Sequence, residues 1–280
     1  MGRNFIIGDL HGNVSGEEKF LYFKKFPEAR NLTKEDVVFQ LGDFGYLWRY
    51  PEFINKYKQE QRQMNNIGKL NFTLFVITGN HENYDLIYAL PLIKKWGGLV
   101  YEYTTLNNDK IYFAKKGEIY NINNKKIFTF GGAKTIKSKR DLITYEMYKN
   151  KESFKKEDPF TGRIKRKIAS LNDICYWKQE DPSLEDILNA KNNLEKHNYK
   201  VDYVLTHTAP YEIIEQSLKD SKDKYYSKIN VCDTAAFLSS IKNKINFRIW
   251  AFGHLHINFD KVIDNQRFIC HYKKEPIELD

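Results

Sequence analysis

The chain has 280 residues, of which 41% are hydrophobic and 29% charged, with 45 Lys and Arg against 36 Asp and Glu for a formal net charge of +9. Such a balance excludes a disordered or collagen-like polymer and permits a full buried core; no apolar run approaches the roughly 18 residues that span a bilayer. The opening Met1-Gly2-Arg3-Asn4-Phe5-Ile6-Ile7 has neither the pattern of a secretory leader nor the Ser or Thr of a myristoylation signal, and Cys175, Cys232 and Cys270 form no CxxC pair. A reduced, cytoplasmic chain without a membrane partner is therefore expected.

Along the chain, residues 4–7 form a short apolar run, and residues 17–26 space Phe20, Leu21 and Phe23 as a helix would. Residues 36–41 read as a buried strand, 52–67 as a polar-faced helix and 72–77 as another buried strand. This alternation predicts a parallel sheet with covering helices. Next come three short β runs at 110–113, 118–122 and 126–130, with Asn123-Asn124 as a hairpin turn. Between Lys134 and Ser170 there are 12 Lys and Arg against 5 Asp and Glu, a local excess of seven positive charges with no clear period. We read residues 134–172 as a basic insertion within one domain spanning 1–280. Residues 183–197 then predict a helix capped by Ser183, with Glu185 and Asp186 in its first turn. A strand at 201–206, a helix at 234–242 and a strand at 247–252 follow, and Asp264-Asn265 marks a second hairpin.

Five polar clusters each follow an apolar run: Gly8-Asp9-Leu10-His11-Gly12, Gly42-Asp43, Gly79-Asn80-His81-Glu82, Thr206-His207 and Gly253-His254-Leu255-His256. In α/β sheets, ligands bind beyond the carboxyl ends of strands. Convergence of these five ends would gather two Asp, one Asn and five of the seven His. Asp9-x-His11 and His254-x-His256 place their side chains two residues apart, and in extended backbone both then point one way. Carboxylate, imidazole and amide donors without thiolate suit manganese, iron or zinc. His197 and His271 stand outside the pattern and read as surface or half-buried residues.

In this order the clusters GDLHG, GD, GNHE, TH and GHLH resemble the calcineurin-like metallophosphoesterase superfamily from Asp9 to His256. Its second motif is GDxxD, where this chain has Tyr46 in place of the second Asp and lacks the following phosphate-holding Arg of protein phosphatases. The stretches FGGA (130–133), YWKQE (176–180) and LTHTAP (205–210) are similar to a bacterial and phage branch. The resemblance implies an α/β sandwich of two facing sheets flanked by helices, and two divalent metal ions, manganese foremost. Carried over residue by residue, Asp9, His11, Asp43 and His256 would bind one ion, and Asp43, Asn80, His207 and His254 the other.

It also implies a hydrolase of phosphate esters in which a metal-bridging hydroxide attacks phosphorus and His81 protonates the leaving oxygen. Glu82 is expected either to orient the His81 imidazole or to serve as an acid at a helix N-terminus. Expected substrates are a phosphoprotein, a nucleotide or a small phosphate ester. A phosphatase is the first reading. A phosphodiesterase or nuclease, with nucleic acid held by the basic insertion, is the second, and a non-catalytic binding protein the third. Arg140, Arg163 and Arg166 are the candidates for a phosphate grip.

Overall fold

The computed structural model describes residues 2–12, 17–51, 54–135, 147–148, 150–151, 153–157, 163–168, 176–220 and 232–279. Two mixed sheets face each other. The first contains β1 (Asn4–Ile7), β2 (Val37–Leu41), β3 (Thr73–Ile77), β4 (Leu92–Lys95), β5 (Gly98–Thr104) and β6 (Lys110–Ala114). The second contains β7 (Ile119–Ile122), β8 (Lys125–Phe130), β11 (Tyr203–Thr206), β12 (Ile249–Phe252), β13 (Phe259–Ile263) and β14 (Gln266–Cys270). A last strand, β15 (Ile277–Leu279), returns to the first sheet and pairs antiparallel with β1.

The strand orders are β15-β1-β2-β3-β6-β5-β4 and β13-β14-β12-β11-β8-β7. In each sheet the central strands are parallel and the flanking strands antiparallel. The parallel strands are buried on both faces, which explains their nearly continuous apolar sequences. Alternate residues still face opposite ways. Ile6, Phe75, Ile77, Leu205 and Ala251 join one cluster between the sheets. Their neighbours Phe5, Leu74 and Val76 pack under the first sheet's outer cover. Val204, Trp250 and Phe252 lie in the corresponding layer of the second sheet.

Helices cover both outer faces. α1 (Ile54–Gly68) presents Met64 and Ile67 to the first sheet, and the short α2 (Tyr84–Tyr88) follows β3. α3 (Leu184–Lys196), α4 (Tyr211–Asp220) and α5 (Asp233–Lys242) cover the second. The result is an α-β-β-α sandwich. Ser183 caps α3 as expected, accepting from the Asp186 N–H in a reciprocal capping box. Both Asn123-Asn124 and Asp264-Asn265 have positive φ at both residues, which matches the twist of two-residue hairpins. No helix among the described residues is long and apolar enough to cross a membrane.

One local reading changes, and two further features carried no sequence signal. Residues 17–26 form only a 3-10 turn at Glu17–Leu21. Leu21 is fully buried while Phe23 is 46% exposed, so the apolar spacing does not line one face. The β4–β5 hairpin turns through Trp96-Gly97, both at positive φ. A Trp in that conformation is not a turn signal; its ring is held by Phe75 at 5.5 Å and Tyr112 at 5.1 Å. Within the basic segment, β9 (Ser153–Glu157) and β10 (Ile164–Ile168) pair antiparallel as a separate two-stranded sheet. Most of the expected insertion, including Arg140, lies outside the described residues, as does Cys175.

Candidate metal centre

Five parallel strands, β1, β2 and β3 from one sheet and β11 and β12 from the other, end on the same edge of the sandwich. The side chains that follow them meet there. Ligating atoms of Asp9, His11, Asp43 and His256 all lie within 4.8 Å of one another, as do those of Asp43, His207 and His254. Asp43 belongs to both groups. Asn80 joins the second, its Oδ1 3.0 Å from His207 Nε2.

The backbone that presents them is not extended. Asp9, His11, Asp43, His254 and His256 have φ between 35° and 67°. The two-residue spacing therefore works through left-handed turns past the strand ends, rather than through the pleat of a strand. Such conformations are costly for residues with a side chain and persist where the surroundings fix them. Here His11 N donates to the Asp43 carbonyl at 2.8 Å and Gly12 N to the Phe44 carbonyl at 3.0 Å, pinning the first loop to the second. His254 N donates to both Asp9 carboxylate oxygens at 3.0 Å. Two glycines make this proximity possible. A Cβ on Gly42 would stand 2.2 Å from the His207 ring, and one on Gly79 2.2 Å from Asp43 N and Oδ1.

The electrostatics favour a cation. Asp9, Asp43 and His207 are buried, and among the described residues no Lys or Arg pairs with either carboxylate. Burial pushes Asp9 up to about 8, with Asp43 adding to the shift. Burial also opposes the charge on Asp43, but His207 and the other imidazoles hold its carboxyl well below the usual range. For His207 burial is outweighed by the Asp43 carboxylate, 3.2 Å away, and its pKa rises to about 9. Burial lowers His254 to about 3 and His256 to about 4, leaving neutral imidazoles, the form that ligates metal.

The donor set fits a pair of divalent metals. His207 Nδ1 donates to the Leu41 carbonyl at 2.7 Å. Nε2 faces the oxygens of Asp43 and Asn80: it donates to them while the ring is protonated, and would turn a lone pair to a bound cation once that proton is displaced. His11 Nε2 and His256 Nε2 stand 2.9 Å apart. These nitrogens and oxygens either share protons or turn their lone pairs together to a bound cation, which would satisfy the whole cluster at once.

The remaining expected residues are placed as follows. His81 is half-buried beside the cluster, its N–H donating to Asp43 Oδ1 at 2.8 Å and its ring 5.5 Å from that of His11. Glu82 is fully buried. Its oxygens accept from the N–H groups of Phe44 at 2.8 Å, Gly79 at 3.3 Å and Gly45 at 3.4 Å. No hydrogen bond joins it to the His81 ring, and the helix N-cap is Asn83. The carboxyl, pushed up to about 8 by burial, instead fastens the Asp43 loop to the Asn80 loop. Tyr46, where the family motif has Asp, is fully buried against Phe44 at 5.0 Å. Arg163 is exposed.

His271 is not a surface residue. It is fully buried, its Nδ1 accepting from Gly8 N at 3.1 Å while Nε2 contacts the Glu275 carbonyl at 2.9 Å. The ring thus anchors the turn that presents Asp9. Three residues after Gly132, Thr135 contacts Asn80, and Glu180 of the YWKQE stretch contacts Thr135. No spacing rule links positions so far apart. Their only sequence signal was the unassigned FGGA and YWKQE stretches.

A family model described as calcineurin-like phosphoesterase matches residues 3–258. Comparison with curated protein sequences finds no match. Among solved structures, the chain is similar to the phosphopantetheinyl hydrolase PptH of Mycobacterium tuberculosis at 16% identity, covering 98% of this chain and 91% of that one, with a TM-score of 0.43. It is similar to a candidate 5′-nucleotidase of Staphylococcus aureus at 15% identity, covering 97% of this chain and 48% of that one, with a TM-score of 0.42. The chain thus spans about half of the latter's length. GAP50 of Plasmodium matches at 12% identity over 97% and 71% of the two chains, with a TM-score of 0.40.

The buried His271 generates a stability prediction. Burial lowers its pKa from 6.5 to about 4, so between those values the unfolded chain binds a proton that the folded chain does not. Stability should therefore be full above about 6.5 and fall as pH drops toward 4, with His271 supplying about 3 kcal/mol of the loss. Asn at this position can still accept from Gly8. Urea unfolding of His271→Asn should show a shallower acid slope by close to one proton than the parent chain.

Proposed function

Since the chain belongs to the calcineurin-like phosphoesterase family, we propose that this phosphoesterase is a dinuclear phosphatase whose ions are held by seven side chains around Asp43. Asp9, His11, Asp43 and His256 would hold one ion; Asp43, Asn80, His207 and His254 the other. The observation that carries this reading is the sharing of Asp43 between two ligating groups, each drawn together within 4.8 Å. Manganese, iron or zinc suits these nitrogen and oxygen donors. Bound there, such a pair supplies Lewis acidity toward the phosphoryl oxygens and lowers the pKa of a water.

The chain's own residues supply the rest. Asp43 shares its carboxylate between both positions and is steadied by the His81 N–H. That bond also fixes the backbone of His81 at the edge of the cluster, from which its imidazole can give a proton to the leaving oxygen. Glu82 and His271 hold the loops at the correct separation. The GDLHG and GNHE spellings favour phosphate monoesters of proteins, nucleotides or small molecules. The GHLH pair leaves diesters as the competing class.

A second reading, nucleic acid as partner, is favoured by the basic ribbon. Its register sets Lys165 opposite Lys156 and Arg166 opposite Lys155. A pair of strands whose sequence is this rich in Lys and Arg suits a polyanion.

Asp43→Asn should lower metal content as measured by elemental analysis and remove most hydrolysis of p-nitrophenyl phosphate; unchanged metal would refute the bridging role. His81→Ala should keep its metal while turnover falls about 10²–10⁴-fold, with a smaller deficit for esters of good leaving groups. An equal deficit for good and poor leaving groups would instead indicate a binding role. If the ribbon holds nucleic acid, affinity for a single-stranded oligonucleotide should fall steeply between 50 and roughly 200 mM salt. A shallow dependence would remove the second reading.

A further inference from the structure

Asn80 poses a problem that its position after β3 does not solve. A carboxamide carries oxygen at one end and NH2 at the other, with nearly the same shape, and only the oxygen can ligate a metal. Something must turn the amide one way. Its Nδ2 donates to Thr135 Oγ1 at 3.3 Å, which leaves Oδ1 beside His207 Nε2. A threonine hydroxyl has one proton and two lone pairs. Thr135 Oγ1 donates to Glu180 Oε2 at 2.5 Å, so toward Asn80 the hydroxyl accepts; burial lifts the Glu180 carboxyl to about 8, while this bond and the N–H groups of Trp177 and Thr135 favour the ionised form that fixes the direction. A reversed amide would set its oxygen against that acceptor.

Glu180 is itself held. Thr135 N also donates to its Oε2 at 3.2 Å, and Trp177 N to its Oε1 at 3.3 Å. The segment that carries it is tied down by Lys116, whose Nζ donates to the Gln179 carbonyl at 2.6 Å. Asn80, Thr135, Glu180 and Lys116 are all buried, so water offers no substitute for any of these bonds.

We propose that Thr135 and Glu180 are positioning residues that orient the Asn80 amide, so that its oxygen and not its nitrogen faces the Asp43–His207–His254 group. The FGGA and YWKQE stretches then act together, one bringing Thr135 under Asn80 and the other aiming a carboxylate at its hydroxyl. This inference rests on the reading of Asn80 as a ligand.

The test is Mn2+ binding by titration calorimetry and elemental analysis, with folding checked by circular dichroism. Thr135→Val should weaken the second Mn2+ by about 10- to 100-fold, the range for residues that orient metal ligands, and Thr135→Ser should restore it. If Thr135→Val does not fold, Thr135→Ala removes the same hydroxyl without adding a methyl group. The deciding comparison uses Asn80→Asp, whose carboxylate presents oxygen in either orientation. In that background Thr135→Val should cost little. Equal losses in both backgrounds would show a general packing role and overturn the proposal. Full Mn2+ binding by Thr135→Val, beside loss of the second ion in Asn80→Ala, would overturn it while sparing Asn80 as a ligand. Retention of both ions by Asn80→Ala would instead sink the ligand assignment, and the proposal with it.

Discussion

A carboxylate buried between two sheets sets the terms for this structure. Asp43 stands past the end of β2, about 1% exposed, and no Lys or Arg among the described residues pairs with it. An isolated buried carboxylate costs several kcal/mol. The fold meets that cost with the His81 N–H at 2.8 Å and the His207 imidazole at 3.2 Å. Those partners come from β3 in one sheet and β11 in the other. Stabilising this one charge therefore draws on the carboxyl ends of strands from both facing sheets.

Bringing the other ligands to Asp43 requires backbone that strands do not provide. Five of the seven proposed ligands sit at positive φ, immediately beyond strands whose own residues are extended and fully buried. Loop-to-loop hydrogen bonds hold these turns, and so does Glu82, which collects three N–H groups from two loops. An acceptor that satisfies donors of both the Asp43 and the Asn80 loop fixes their separation. The buried His271 does the same for the Asp9 turn from the second sheet. Pre-organisation is thus distributed through residues that need not touch a substrate.

Tyr46 departs from the family motif, and its ring packs against Phe44 beneath the first loop. The site's negative charge is then left to Asp9 and Asp43. Rigidity comes from aromatic packing and from buried carboxyls that accept backbone donors.

Much of the site was legible in the sequence because its chemistry is punctuated locally. Each cluster follows an apolar run, four of the five contain glycine, and together they use five of seven histidines. The sandwich was legible through its strand–helix alternation and its family resemblance. The Asn-Asn and Asp-Asn turns declared themselves by residue type. The roles of Glu82, Thr135, Glu180 and His271 were decided only by tertiary structure, since a buried carboxyl or imidazole takes its meaning from partners tens to hundreds of residues away. The same reason hid the Trp96-Gly97 turn, which is fixed by packing on Phe75 and Tyr112. It also hid β15, which exists as a strand because β1 offers it an edge. Sequence determined which donors are available and roughly where the chain turns; the folded arrangement alone determined which of them face one another.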